Sequence, residues 1–479
     1  MLFNTPLFLL GFLPAALVLF FATGRLGGNR AALATVALAS FVFYGWWDWR
    51  FVPLLAGSIG LNYWLGQKLL RTPGRCWLAA GIGADLALLG WFKYAGFLGA
   101  SLFGVHLAIA LPLAISFFSF QQIMFLVDSA RRERPDVGFL PYAAFIAFFP
   151  HLIAGPIVRP KEILPQLVAP ALIRPRADAI AEGLTIFLLG LAKKAVLADM
   201  FGSFADVGFS AAARGATLTL FEAWYALLAY ALQIYFDFSG YSDMAIGLAR
   251  MMNVRFPVNF ASPYRAASIA EFWRRWHITL GAFLRDYLYI PLGGSRTGRA
   301  RHLANLFLTM LLCGLWHGAA WRFVFWGGLH GAMLGAHTLW RRTRLALPFP
   351  VARALTLVLV VLAWVPFRAP DTAAMAAMAR GLAGANGVAL PRLVIGWLPW
   401  LGALASPVAS LPSLGEARTL SFPELTACLA LGWGIVLAAP PLQAMRPAWR
   451  GAALTACFAL SVQAVFFAPR ALPFLYFQF

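Results

Sequence analysis

The sequence predicts an all-α, polytopic integral membrane protein with roughly 11–13 transmembrane helices plus re-entrant and amphipathic interfacial helices. Three observations carry that prediction. Of 479 residues, 61% are hydrophobic and 12% are charged, half the charged share of about 25% usual in soluble domains. Apolar runs recur almost end to end and are continuous rather than alternating, which fits helices of ~20 residues and excludes a transmembrane β-barrel. The basic residues cluster in the short loops between those runs. Composition therefore excludes a cytosolic enzyme and a disordered chain. The net charge of +20 belongs to membrane orientation rather than to nucleic-acid binding, so the lipid bilayer is a partner and nucleic acid is not.

Residues 6–22, 31–47, 51–67, 77–92 and 105–127 read as the first five spans. Arg25 and Arg30 follow the first, Lys68, Arg71 and Arg75 the third, and Arg131, Arg132 and Arg134 the fifth, whereas the intervening loops hold Arg50 and Lys93. That asymmetry puts the odd-numbered loops in the cytoplasm and the N-terminus outside. The first run lacks a basic n-region and reads as a retained span, not a signal peptide. Ser116, Ser119, Gln121 and Gln122 interrupt the fifth span and must face protein or a cavity. The run 139–158 breaks at Gly155–Ile157. It is followed by Arg159, Lys161, Arg174 and Arg176, on the side the charge rule forbids unless the segment is re-entrant.

Residues 180–198 and 218–236 are the next apolar helices, followed by a polar island at 237–301. Spans resume at 303–316, 321–340, 351–367, 394–412, 422–440 and 452–468, with a small-residue loop at 370–392. The expected organisation is one domain, 1–479, with N-terminal helices (1–158), a central core (159–345) and C-terminal helices (346–479). Cys76, Cys313, Cys428 and Cys457 are scattered through apolar sequence and read as inert buried thiols. No zinc, P-loop or nucleophile-elbow motif occurs, so no metal site is expected.

Three clusters carry the chemistry. The stretch Ser268–Gly294 reads as an amphipathic helix with Phe272, Trp276, Thr279, Phe283 and Tyr287 on one face. Arg274, Arg275 and Arg285 lie mostly elsewhere, and His277 falls mid-helix. Such a helix is either an interfacial anchor or a basic platform for phosphate groups, which arginine suits. In the second cluster His317 lies between apolar runs beside Trp316, Gly314 and Gly318. An ionisable group at membrane depth is a functional candidate, and neutral imidazole is a general base near pH 7. His330 is placed on the opposite helix face and reads as structural. The third cluster, Gln233–Ala249, buries Asp237 and Asp243 with Ser239 and Tyr241 between. A buried carboxylate needs a partner, for which the island arginines are candidates. Gly240 is a candidate helix break.

The ordered motifs YFDFSGYSDMAIG (Tyr235–Gly247), EFWRRWHITLGAFLRDYLYIPLGG (Glu271–Gly294) and GLWHGA (Gly314–Ala319) resemble the membrane-bound O-acyltransferase family, within it the bacterial branch of alginate O-acetyltransferases. FYGWWDWRF (Phe43–Phe51), FFPHLIAGPIVRP (Phe148–Pro160) and FLYFQF (Phe474–Phe479) fit that branch as well. The resemblance implies a many-helix fold around a tunnel pinched at the catalytic histidine, which corresponds to His317, with His277 as its partner. It implies acetyl-CoA as a transient cytoplasmic donor rather than a resident cofactor, with Trp273, Arg274, Arg275, Trp276 and Arg285 towards the donor. Asp237, Ser239, Tyr241, Asp243 and Trp316 would line the reaction chamber. The acetyl group would pass across the bacterial inner membrane to a polysaccharide of alginate or cellulose type, directly or through a periplasmic acetyltransferase partner. D-alanyl transfer from a carrier protein, a transporter and a non-enzymatic scaffold are the alternatives.

Overall fold

A computed structural model describes residues 1–296, 298–343, 345–397, 399–403, 405–408, 422–439, 447–467 and 474–475. The all-α expectation holds. Among the described residues the strands are one parallel pair, Ala389–Pro391 against Ser406–Val408. Three helical stretches there are long and apolar enough to cross a bilayer: Leu7–Arg71, Arg75–Phe103 and Phe349–Arg368. Two shorter apolar helices, Pro423–Ala438 and Gly451–Phe466, follow. The 65-residue stretch is not one rod. Within Leu13–Asp48, Gly28 adopts φ 71°, ψ −170°, a conformation that side chains with a Cβ disfavour. The helix therefore breaks between the expected spans 6–22 and 31–47. Asp48 marks the next break, accepting from the Arg50 backbone N–H at 3.0 Å and pairing with its guanidinium at 2.6 Å.

Several expected elements differ. The span expected at 105–127 is helical only over Ile115–Ala130, because Pro112 precedes it and Ala114 takes φ 64° at its start. Its polar residues are buried in protein: Gln121 Nε2 lies 3.0 Å from His151 Nδ1, and Asn62 Nδ2 donates to Gln122 Oε1 at 3.2 Å. Over 139–158 the helix Phe139–Ala147 ends where Phe148 turns to ψ 105°, and a short helix, Phe149–Leu152, follows. Nine residues rise only about 13 Å, less than half the bilayer core, as a re-entrant segment requires. The small-residue loop at 370–392 contains a helix, Thr372–Leu382, which Asp371 caps by accepting from the Ala374 N–H at 2.8 Å. The described part of 394–412 is not one span but two short helical pieces, Arg392–Trp397 and Pro399–Ala403, and the strand Ser406–Val408, and 398, 404 and 409–412 lie outside the described residues. Of the four cysteines, Cys313 is buried, but Cys76 is exposed on an apolar helix, contrary to the expectation of burial.

The chain divides into two compact units. One comprises Met1–Ala192, Ser239–Asn259 and Ala453–Phe479; the other comprises Lys193–Phe238 and Phe260–Ala452. The helix Leu220–Met251 runs unbroken through Gly240, so the expected break there does not occur. It supplies Asp237 to the second unit, and Ser239, Tyr241 and Asp243 to the first.

Candidate active site

The polar island is not a single helix. Ser268 caps Ile269–Arg275 by accepting from the Glu271 N–H at 3.2 Å, while Glu271 Oε2 accepts from the Ala267 N–H at 2.8 Å. This reciprocal arrangement satisfies two backbone donors that the first turn would otherwise leave unpaired. The Ala267 N–H and the Arg275 guanidinium together hold the Glu271 carboxyl below the usual carboxylate range. The helix stops at Trp276, which is extended, and His277 takes φ 45°, ψ 55° before a second helix, Ile278–Leu284. His277 is thus at a break and not mid-helix. A non-glycine residue in the left-handed region costs about 1–2 kcal/mol, and packing holds it there. The ring is fully buried and meets Phe238 edge-on at 4.7 Å. The single aromatic face expected from the periodicity is divided by this break: Phe272, Trp276, Thr279 and Phe283 are buried, and Tyr287 is half-buried.

His317 is the last residue of Arg299–His317, and Gly318 is extended before the chain turns back into Trp321–Trp340. Gly314 and Gly327 let these two helices touch backbone to backbone: a Cβ on Gly314 would stand 2.9 Å from the Gly327 Cα. His317 is 5% exposed and packs edge-on against Trp326 at 5.2 Å and Phe367 at 5.3 Å. Trp316 links the two histidines singled out from the sequence. Its ring centroid lies 4.9 Å from that of His317 and 6.0 Å from that of His277.

His330 departs from its expected isolation. Helical spacing on Trp321–Trp340 puts His330 against Trp326 at 4.7 Å, and because the chain reverses at Gly318, His317 contacts the same ring at 5.2 Å. Trp273 Nε1 donates to His330 Nδ1 at 3.2 Å. Trp273 also lines a cavity of about 530 Å³ with Arg274, Arg285, Tyr289 and Thr309. Three of the five candidate donor-binding residues therefore share one cavity wall. Arg275 instead bonds Glu271 at 2.6 Å and the Ala261 carbonyl at 3.2 Å. Trp276 is 2% exposed and packs on Trp364 at 5.0 Å.

Asp237 pairs with a lysine that the sequence reading did not single out. Lys194 Nζ lies 2.9 Å from Asp237 Oδ1 and 2.5 Å from Asp199 Oδ1. The sequence signal for this triad was Lys194 itself, a cation inside an apolar run. Trp326 carried no such signal, because a tryptophan in an apolar helix is ordinary core. In the other unit Ser239 and Tyr241 are buried, Tyr241 stacked on Phe3 at 4.9 Å, and Asp243 is half-buried. Among the described residues no three His, Cys, Asp or Glu side chains gather as metal ligands.

The profile of the membrane-bound O-acyltransferase family matches residues 83–367, more than half of the chain and all of both histidine segments. The chain belongs to the membrane-bound O-acyltransferase family. As a member it is an acyltransferase. It is 41% identical to the peptidoglycan O-acetyltransferase of Helicobacter pylori over 433 residues, 82% of each chain. It is 44% identical to the probable alginate O-acetylase AlgI of Pseudomonas putida over 388 residues, 78% of each chain. The teichoic acid D-alanyltransferase of Streptococcus thermophilus is 25% identical over 241 residues, 48% of this chain and 58% of the relative.

Proposed function

We propose that this acyltransferase carries an acetyl group from cytoplasmic acetyl-CoA to a hydroxyl of an extracytoplasmic polysaccharide, directly or through a periplasmic acetyltransferase partner, from a site in the bacterial inner membrane with the N-terminus periplasmic. One observation carries this reading. The cavity walled by Trp273, Arg274 and Arg285 is joined to His317 through an unbroken series of contacting rings, Trp273 to His330 to Trp326 to His317. Arginine binds phosphate through its fork of N–H donors, so the cavity offers the donor's phosphates a cationic wall. The O-acetyl relatives, matched over most of the chain, favour acetyl over D-alanyl.

In this mechanism neutral His317 accepts the acceptor hydroxyl's proton as its oxygen attacks the thioester carbon. The tetrahedral intermediate collapses, the carbon–sulfur bond breaks, and the histidine's proton passes to the departing thiolate. General base catalysis of this kind is worth about 10²–10⁴-fold. His277 is buried against Trp316, the ring that His317 also contacts. The test is acetyl transfer from acetyl-CoA to a glycan acceptor by purified protein. His317→Ala is expected to lose at least 10²-fold in rate while remaining folded. Equal turnover by the variant would remove His317 from the reaction, and a requirement for an acylated carrier protein in place of acetyl-CoA would select D-alanyl transfer.

A further inference from the structure

We propose that Trp326 Nε1–H and His330 Nε2–H form the donor pair that receives the thioester carbonyl oxygen of the acyl donor, an assignment that rests on the acyl-transfer reading above. The argument starts from the His330 ring. Its Nδ1 accepts the indole N–H of Trp273 at 3.2 Å, so in the neutral imidazole the hydrogen is on Nε2. That Nε2 is buried and has no hydrogen-bond partner among the described residues. The indole Nε1 of Trp326 is in the same condition, and both side chains are fully buried, at 0% exposure.

These two donors are not scattered. Trp326 and His330 stand four residues apart on Trp321–Trp340, hence on one face of the helix. Their rings touch at 4.7 Å and 60°. Leaving a buried N–H unpaired costs about 1–3 kcal/mol, and this fold bears that cost twice on adjoining rings. Phenylalanine would fill similar volume at either position without the cost. The feature that distinguishes the pair from ordinary core is its neighbours. Trp326 lies edge-on to His317 at 5.2 Å, and His330 is bonded to the cavity-wall residue Trp273.

A pair of fixed N–H groups beside a general base suits an oxygen that gains negative charge. As the acceptor oxygen bonds to the acyl carbon, the carbonyl π electrons move onto the carbonyl oxygen. The two N–H groups hold that charge through hydrogen bonds without transferring a proton. When the carbonyl re-forms, the carbon–sulfur electron pair leaves with the thiolate, which takes the proton from His317. Packed rings need no reorganisation at that moment, which is what makes such donors effective. The Trp273 bond keeps His330 in the tautomer that presents Nε2–H, so Trp273 acts as a positioning residue.

The experiment uses the full chain in lipid nanodiscs with acetyl-CoA as donor. Variants are Trp326→Phe, His330→Phe, His330→Gln and Trp273→Phe, each checked by thermal melting. Loss of one such donor lowers kcat by about 10²–10³-fold, so Trp326→Phe and His330→Phe are expected to fall in that range, with KM for acetyl-CoA within about threefold. His330→Gln, which keeps an N–H, is expected to recover part of the loss. A second readout compares binding of acetyl-CoA with that of S-ethyl-CoA, the thioether that lacks the carbonyl oxygen, and serves even for an inactive variant. Wild type prefers the thioester, and Trp326→Phe and His330→Phe lose the preference. Unchanged kcat with an unchanged preference overturns the assignment while acyl transfer stands. Equal weakening towards both ligands means a packing role and also overturns it. Full activity of His317→Ala would instead defeat the acyl-transfer reading itself.

Discussion

Lys194 Nζ stands 2.9 Å from Asp237 Oδ1, and both side chains are almost closed to solvent, at 1% and 4%. Asp199, at 2.5 Å from the same ammonium, completes the triad. Asp237 directly precedes Phe238, whose ring bears edge-on against His277, so the ion triad secures the backbone that supports this histidine. Removing one member of a buried charge group leaves the others uncompensated and costs about 3–5 kcal/mol, whereas replacing the whole group with neutral residues is often tolerated. Lys194→Met is therefore expected to lower the melting temperature sharply in detergent, and Lys194→Met with Asp199→Asn and Asp237→Asn to recover most of the loss. A single variant as stable as wild type would contradict this.

The cavity arginines are expected to act on donor affinity and not on chemistry. Arg274→Gln and Arg285→Gln are each predicted to raise KM for acetyl-CoA by about tenfold, the effect of one charge-assisted phosphate contact, with kcat nearly unchanged. Arg285 already pairs with Asp286 at 2.6 Å, so Asp286→Asn is expected to lower KM. Steady-state kinetics at varied acetyl-CoA measure both.

The hairpin that carries His317 depends on two absent side chains. A Cβ on Gly327 would stand 3.1 Å from the Gly314 Cα and closer still to the Met310 carbonyl. Gly327→Ala is expected to force the helices apart at about 1–3 kcal/mol and to reduce activity through His317. The adjacent Gly328 has only ordinary contacts at 3.6 Å, and Gly328→Ala is expected to leave stability equal or slightly higher. Parallel melting curves and activity assays separate the two.

Glu271 gives a pH prediction. Its carboxyl is held below the usual range by the Ala267 N–H and Arg275, so the ionised form is favoured in the folded state. The stability this contributes is fully present above the ordinary carboxylate pKa and is lost as pH falls through the depressed folded value. Wild type and Glu271→Gln are therefore expected to differ in melting temperature at pH 7 and to converge towards pH 3. A gap that is constant with pH would exclude the carboxylate as its source.

Much of this protein was legible in its residues. Helical class, membrane residence and the first four spans all follow from local composition and motif, because lipid solvation and helix periodicity act on each segment separately. The sequence also singled out Trp273, Arg274 and Arg285, which share a cavity wall, although it grouped Arg275 and Trp276 with them. Those two are taken up by Glu271 and by the aromatic core. A single periodicity ran through residues that the chain divides at His277, where burial of one ring outweighs the local preference for continuing a helix.

The linear chain alone determined what kinds of groups sit at membrane depth, since each apolar run and each ionisable residue within it states its own solvation. Tertiary structure decided which of them meet. His330 came to share Trp326 with His317 because two glycines let the hairpin close after Gly318, and Asp237 found Lys194 on a different helical segment. Partners of that kind depend on how helices far apart in sequence pack, and helical spacing within one segment does not encode it.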